Sequence, residues 1–123
     1  MAYFRCSNSS GGGGKNADII DLTGYDLSTI TDANPLVING NFANATQMFS
    51  YGRYVGSGSY SSYTQGEWQE IVLGTTYQVK SGKVSYQGWR KVTVYSDRVV
   101  IGNGGYQNTL NSTYGILEHL AIG

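Results

Sequence analysis

Short stretches of apolar and aromatic residues recur along the chain, and each ends at glycine, asparagine or aspartate. Such stretches, punctuated by turn residues, are typical of β-strands. The densest block covers 67–102 and predicts a β-meander of about four strands. Within it, Ser81-Gly82 is predicted to be a two-residue hairpin loop. The glycines at 102–105 are predicted to end the last strand of the block.

Composition favours the same fold class. The chain of 123 residues has 18 glycines, 11 tyrosines and one proline. Tyrosine favours strands, whereas glycine supplies turns and weakens helices. The segment 110–122 stays open between a helix and a closing strand, because its apolar residues fit both periods. We therefore expect an all-β fold, as a small antiparallel sandwich, jelly roll or barrel.

The first residues predict a separate arm. Residues 7–16 read SNSSGGGGKN, a composition typical of flexible linkers. Residues 1–16 are therefore predicted to be a flexible N-terminal arm and tether, and residues 17–123 a single β domain. Tyr3 and Phe4 lie near the tip of this arm. Two adjacent rings favour an assembly contact with a neighbouring subunit over a plain disordered tail.

The charge balance restricts the partners. Eight acidic residues balance eight basic ones, and charged residues make up only 13% of the chain. Without a basic field, nucleic acid is not an expected partner. Neither a membrane span nor a signal-peptide core is visible, which predicts a product that is made in the cytoplasm and stays soluble, unless it leaves by lysis or a specialised route. The scarcity of charges that would protect edge strands favours pairing with other copies.

Residues for catalysis are few. His119 is the sole histidine, and Cys6, the sole cysteine, lies in the predicted arm. Glu67 and Glu70 would face opposite sides of a strand, so they do not make the carboxylate pair of a glycosidase. We therefore expect a protein that is not an enzyme, with no cofactor and no metal site.

The aromatic residues are the best candidates for a contact surface. Trp68 and Trp89 fit either core packing or a stacking platform for sugar rings. Trp89 follows a glycine near a strand start, where a ligand can reach it. A stretch in which Ser and Gly alternate with tyrosine has the composition of adaptable recognition loops. Its predicted contact residues are Tyr51, Tyr54, Tyr60 and Tyr63.

The opening MAYFRC followed by a glycine run resembles small virion proteins of tailed bacteriophages and prophages of Gram-positive bacteria. The Tyr/Gly/Asn-rich, charge-poor body is similar to tail-fibre, baseplate or capsid-decoration domains. The resemblance implies a repeated structural subunit, trimeric or arrayed, that is located in the virion and attached to other virion proteins through its N-terminal tip. Contact with a host-surface glycan is compatible with it. The alternative function is a carbohydrate-binding module with an aromatic platform.

Overall fold

The computed structural model describes residues 18–53, 64–83 and 86–123. The predicted arm at 1–16 therefore lies outside the described residues. No helix in the described ranges is long and apolar enough to cross a membrane. Besides a short 3₁₀ helix at Leu27–Thr29, these ranges contain nine strands: β1 (Asp18–Asp21), β2 (Leu36–Asn39), β3 (Gln47–Arg53), β4 (Thr64–Glu70), β5 (Thr76–Lys83), β6 (Tyr86–Val94), β7 (Arg98–Tyr106), β8 (Thr109–Leu110) and β9 (Ile116–Ile122).

The strands form two antiparallel sheets that pack face to face. The first sheet has the order β1-β9-β3-β4, and the second has the order β2-β7-β6-β5 with β8 added beside β7. The all-β prediction is confirmed in its sandwich form, and the sheets do not close into a barrel. Side chains that alternate inward from both sheets fill the core. Its fully buried members include Met48, Val79, Val92, Val94, Val99, Ile101, Leu117, Leu120 and Ile122.

The predicted meander over 67–102 is confirmed for three strands and wrong for the fourth. β5, β6 and β7 pair in chain order in the second sheet, whereas β4 pairs with β3 in the first sheet. The chain crosses between the sheets after Glu70. The crossing contains Gly74, whose φ of 84° lies in the left-handed region that favours glycine.

The hairpin loop predicted at Ser81-Gly82 is wrong, because both residues belong to β5. Ser81 pairs with Gly88, and the ladder continues to Lys83. Ser81 is buried like Val79 two positions earlier, so it continues the inward face of the strand. The segment 110–122, for which the sequence allowed either a helix or a closing strand, contains strand β9. This strand lies between β1 and β3 in the first sheet.

β7 also continues where the glycines were predicted to end it. These glycines do not form a turn. Their lack of a side chain lets neighbouring groups pack closely against the strand, because a Cβ at each position would overlap such a group. The pairs in question are Gly102 with Asp32, Gly104 with Arg90, and Gly105 with Trp89.

Arg90 is the largest fully buried side chain of the described core. Its five N–H groups all donate to backbone carbonyls, so the buried cation is completely hydrogen-bonded. Burial lowers the pKa of Arg90 to about 10, which leaves it charged at neutral pH. The bond lengths are 2.9 Å to Gly115, 3.1 Å to Ile30, 2.9 Å to Gly102, 2.7 Å to Ser112 and 2.8 Å to Tyr114.

Candidate functional site

The outward face of the first sheet is set by the alternation of β3. Met48 and Ser50 point into the core and are buried. Gln47, Phe49 and Tyr51 therefore share the opposite, outward face. Side chains two positions apart on a strand are separated by about 6.6–6.8 Å, so these three cover a stripe of about 13 Å.

Neighbouring strands extend this stripe sideways. Phe49 stands opposite Trp68 of β4, and Tyr51 stands opposite His119 of β9. The ring centroids of Phe49 and Trp68 are 5.0 Å apart at an interplanar angle of 50°, and those of Tyr51 and His119 are 6.2 Å apart at 43°. We call these four residues the aromatic face.

Trp68 is the most accessible ring of the aromatic face. It keeps 42% of its surface exposed, although a tryptophan can bury an area of the order of 200 Å². Phe49 is half-buried beside it and supports one edge of the indole. The Trp68 ring is thus held by a neighbour and still open to a ligand.

A charged group borders the aromatic face on the β1 side. The Nε2 atom of His119 lies 3.9 Å from Oδ1 of Asp21. That carboxylate accepts hydrogen bonds from the Thr23 hydroxyl at 2.6 Å and from the Thr23 backbone N–H at 2.9 Å. These bonds lower the pKa of Asp21, the hydroxyl most strongly, so it is ionised at neutral pH.

A hollow of about 510 Å³ borders the other end of the stripe. Its lining includes Gln47 and Glu70, which are cross-strand partners in β3 and β4. Because Glu70 lies two positions after Trp68, both side chains project from the same face of β4. Amide and carboxylate groups therefore lie directly beyond the exposed indole.

The two acids of this surface are too far apart for glycoside hydrolysis. Asp21 and Glu70 lie on opposite edge strands and at opposite ends of the stripe. Strand spacing places them roughly 19 Å apart, whereas the carboxylates of glycosidases lie within about 9.5 Å of each other. Among the described residues there is also no group of three His, Cys, Asp or Glu that could hold a metal ion.

The structure distributes the predicted contact residues over different places. Tyr51 lies on the aromatic face. Trp89 lies on the second sheet, where it is half-buried over Gly105 and its Nε1 donates to the Gln107 carbonyl at 2.8 Å. The remaining predicted residues lie outside the described ranges: Tyr3, Phe4, Tyr54, Tyr60 and Tyr63.

Sequence reasoning did not select Phe49 or His119 as site residues, and it left Trp68 open between core packing and a stacking platform. A signal for Phe49 was present, because it alternates with Met48 and Ser50 in step with Tyr51. Its pairing with Trp68 depends on strand register, which a single sequence does not specify.

No protein-family model matches this chain, and neither does any curated protein or any solved structure. Its function is therefore argued from the site itself.

Proposed function

We propose that this domain is a non-enzymatic binding module that holds a neutral carbohydrate on the aromatic face. The observation that carries the proposal is the exposed indole of Trp68, supported by Phe49 and bordered by polar side chains. Sugars present C–H groups on the flat side of the ring and hydroxyls around its edge. A site for them therefore needs an open aromatic surface with hydrogen-bonding groups at its border.

The polar groups at both ends match that requirement. Gln47 and Glu70 lie beyond Trp68, and His119 with Asp21 lies beside Tyr51. Between them the stripe is about 13 Å long, which suits a short oligosaccharide better than a single sugar. The even balance of acids and bases in the chain favours a neutral ligand.

Binding of neutral hexose and N-acetylhexosamine oligosaccharides, measured by calorimetry and by the indole N–H resonances, tests this proposal. Trp68→Ala should weaken binding about tenfold or more, equivalent to about 1.4 kcal/mol. Because Trp68 is an exposed residue, the variant should keep its fold, which circular dichroism can check.

Tyr25→Ala is the matched control. Tyr25 is 49% exposed, similar to Trp68, but it follows β1 beyond the opposite edge of the sheet. Its removal should leave the affinity unchanged. If no oligosaccharide of the panel shifts the Trp68 resonance at millimolar concentration, the aromatic face is not a carbohydrate site.

A second candidate is an assembly subunit of a virion tail or capsid surface, with the carbohydrate as host-surface contact. The observation that favours assembly is the edge strand β2, whose sequence LVIN contains no charged residue. Val37 on this strand is 47% exposed. An edge without charges is a template for pairing with another copy.

Light scattering during size-exclusion chromatography tests the assembly candidate. We expect oligomers that Val37→Lys dissociates, because a lysine on an edge strand opposes strand addition. Thr109→Lys, on the exposed strand β8, is the control for added charge and should leave the mass unchanged. A monomer at millimolar concentration would contradict the assembly role.

A further inference from the structure

The outward face of the second sheet contains a groove of about 310 Å³, remote from the aromatic face. β5, β6 and β7 supply its floor, and the loop before β2 supplies one wall. A volume of this size lies at the lower end of the range of small-molecule sites. The residues that define its chemistry are Asp32, Thr76, Lys91, Thr93, Val100 and Gly102.

Asp32 is fixed in position by its neighbours. Its backbone N–H donates to Oδ1 of Asn103, and the Asn103 backbone N–H donates to Oδ1 of Asp32, both at 2.9 Å. A Cβ at Gly102 would overlap the Asp32 carboxylate. The absence of a side chain at position 102 therefore leaves room for the carboxylate in the wall of the groove.

The charges in the groove compensate each other. The Nζ atom of Lys91 lies 3.1 Å from Oδ2 of Asp32, and the two side chains are 32% and 52% exposed. An anion would be attracted by Lys91 and repelled by Asp32, and the reverse holds for a cation. The groove therefore favours a neutral ligand.

The polar side chains of the groove can form more hydrogen bonds than they form with the described residues. The carboxylate of Asp32 can accept about four hydrogen bonds and accepts two, whereas the ammonium of Lys91 can donate three and donates one. Thr76 and Thr93 share one hydrogen bond of 2.6 Å between their hydroxyls. One of their two O–H groups is the donor in that bond, so the other can donate elsewhere.

A pair of adjacent hydroxyls matches this arrangement. One hydroxyl can donate to Asp32 while its neighbour accepts from Lys91, because carboxylate and ammonium stand side by side. The apolar side chain of Val100 offers a surface for C–H groups. A pyranose ring carries both features.

We propose that this groove is a second carbohydrate site, which binds a single pyranose residue through adjacent hydroxyls. The proposed ligand is a carbohydrate, as in the proposed function, and the second site rests on that function only for this choice of ligand. None of the groove residues belongs to the aromatic face. Two sites on opposite sheets make one domain bivalent, so a monomer can link two glycan chains.

Amide chemical shifts in the Trp68→Ala variant test the proposal without interference from the first site. The probes are glucose, galactose, mannose and N-acetylglucosamine at millimolar concentration. At least one should shift the amide resonances of Lys91, Thr93 and Gly102. Adding Lys91→Met should then weaken binding of that sugar at least fivefold. Thr93→Val is a second, independent variant that should also weaken it.

Arg98→Met is the matched control, because Arg98 lies on β7 in an exposed ion pair with Asp97 and does not line the groove. It removes the same charge and should leave the affinity unchanged.

The outcomes separate the two proposals. Shifts at the groove in Trp68→Ala that Lys91→Met removes support the second site. If the native protein binds at Trp68 and the groove never responds, the second site is refuted and the proposed function stands. If only the groove responds, the first site is refuted and the second stands. Absence of shifts at both places refutes both.

Discussion

Replacement of Arg90 by methionine tests whether the buried cation stabilises the sandwich. Methionine keeps much of the apolar length of the side chain and removes all five hydrogen-bond donors. The carbonyls that lose a hydrogen bond from Arg90 belong to separate segments: the loop before β2, strand β7, and the turn that leads into β9. The substitution therefore removes hydrogen bonds that connect β6 to all three of these segments.

The magnitude follows from the number of bonds. Hydrogen bonds to charged groups contribute about 1.5–3 kcal/mol each, and five of them together would equal the roughly 5–15 kcal/mol that stabilises a whole domain. Desolvation of the guanidinium offsets a large part of that sum, which is consistent with its lowered pKa of about 10. We expect Arg90→Met to lower the free energy of unfolding by about 4 kcal/mol. Arg90→Lys should lower it by about 2–3 kcal/mol, because an ammonium has three donors.

Urea denaturation followed by tryptophan fluorescence measures both values, and Trp89 is adjacent in sequence to the substituted residue. Arg98→Met serves as the control for loss of an exposed arginine and should change the free energy of unfolding by less than about 1 kcal/mol. A loss below about 1 kcal/mol for Arg90→Met would refute the reasoning, since five buried or partly buried carbonyls would then have lost the Arg90 hydrogen bond without cost.

Further substitutions test single contacts by the same denaturation assay. Gly105→Ala should cost about 2–3 kcal/mol because its Cβ would overlap the Trp89 ring, whereas Gly24→Ala has open space and should be neutral; equal effects would contradict this. Ser81→Ala should raise stability by about 1 kcal/mol, since the buried hydroxyl has no partner among the described residues, and a loss would reveal one. Hydrogen bonds lower the pKa of Asp32, chiefly the one from a backbone N–H, so its contribution is complete above pH 3.8 and disappears as the pH falls further. The stability difference between the native protein and Asp32→Asn should therefore shrink below pH 3.8, and a constant difference would oppose this assignment.

Much of the fold was predictable because it depends on local pattern. The alternation in β3 and the turn-bounded apolar runs of β2, β6 and β7 are visible in the sequence, and each became a strand. The assignment of β4 to the first sheet was not visible, because the tendency of strands adjacent in sequence to pair favours β5 as a partner of β4 as much as β3. Only contacts distant in sequence, such as Phe49 with Trp68, decide it.

Glycine was the main source of wrong predictions. A glycine in a strand signals either a turn or a close approach, and the two cannot be distinguished without knowing what approaches. In β7 the approaching groups are Asp32, Arg90 and Trp89, which come from other strands or loops. The groove depends on the close approach of Asp32 to Gly102, and for that reason the sequence alone did not predict it.

The two proposed sites depend on the fold in different ways. The aromatic face needs only the register of β3 with β4 and β9, which the sheet ladder maintains. The groove also needs the loop before β2 in place, and Arg90 holds that loop through the Ile30 carbonyl and β7 through the Gly102 carbonyl. A ligand-binding loop that depends on a buried side chain for one of its anchors responds to the loss of that side chain more than a sheet face does. Arg90→Lys should therefore weaken pyranose binding at the groove while leaving binding at Trp68 intact, and equal losses at both sites would mean that Arg90 supports the sandwich without positioning the groove.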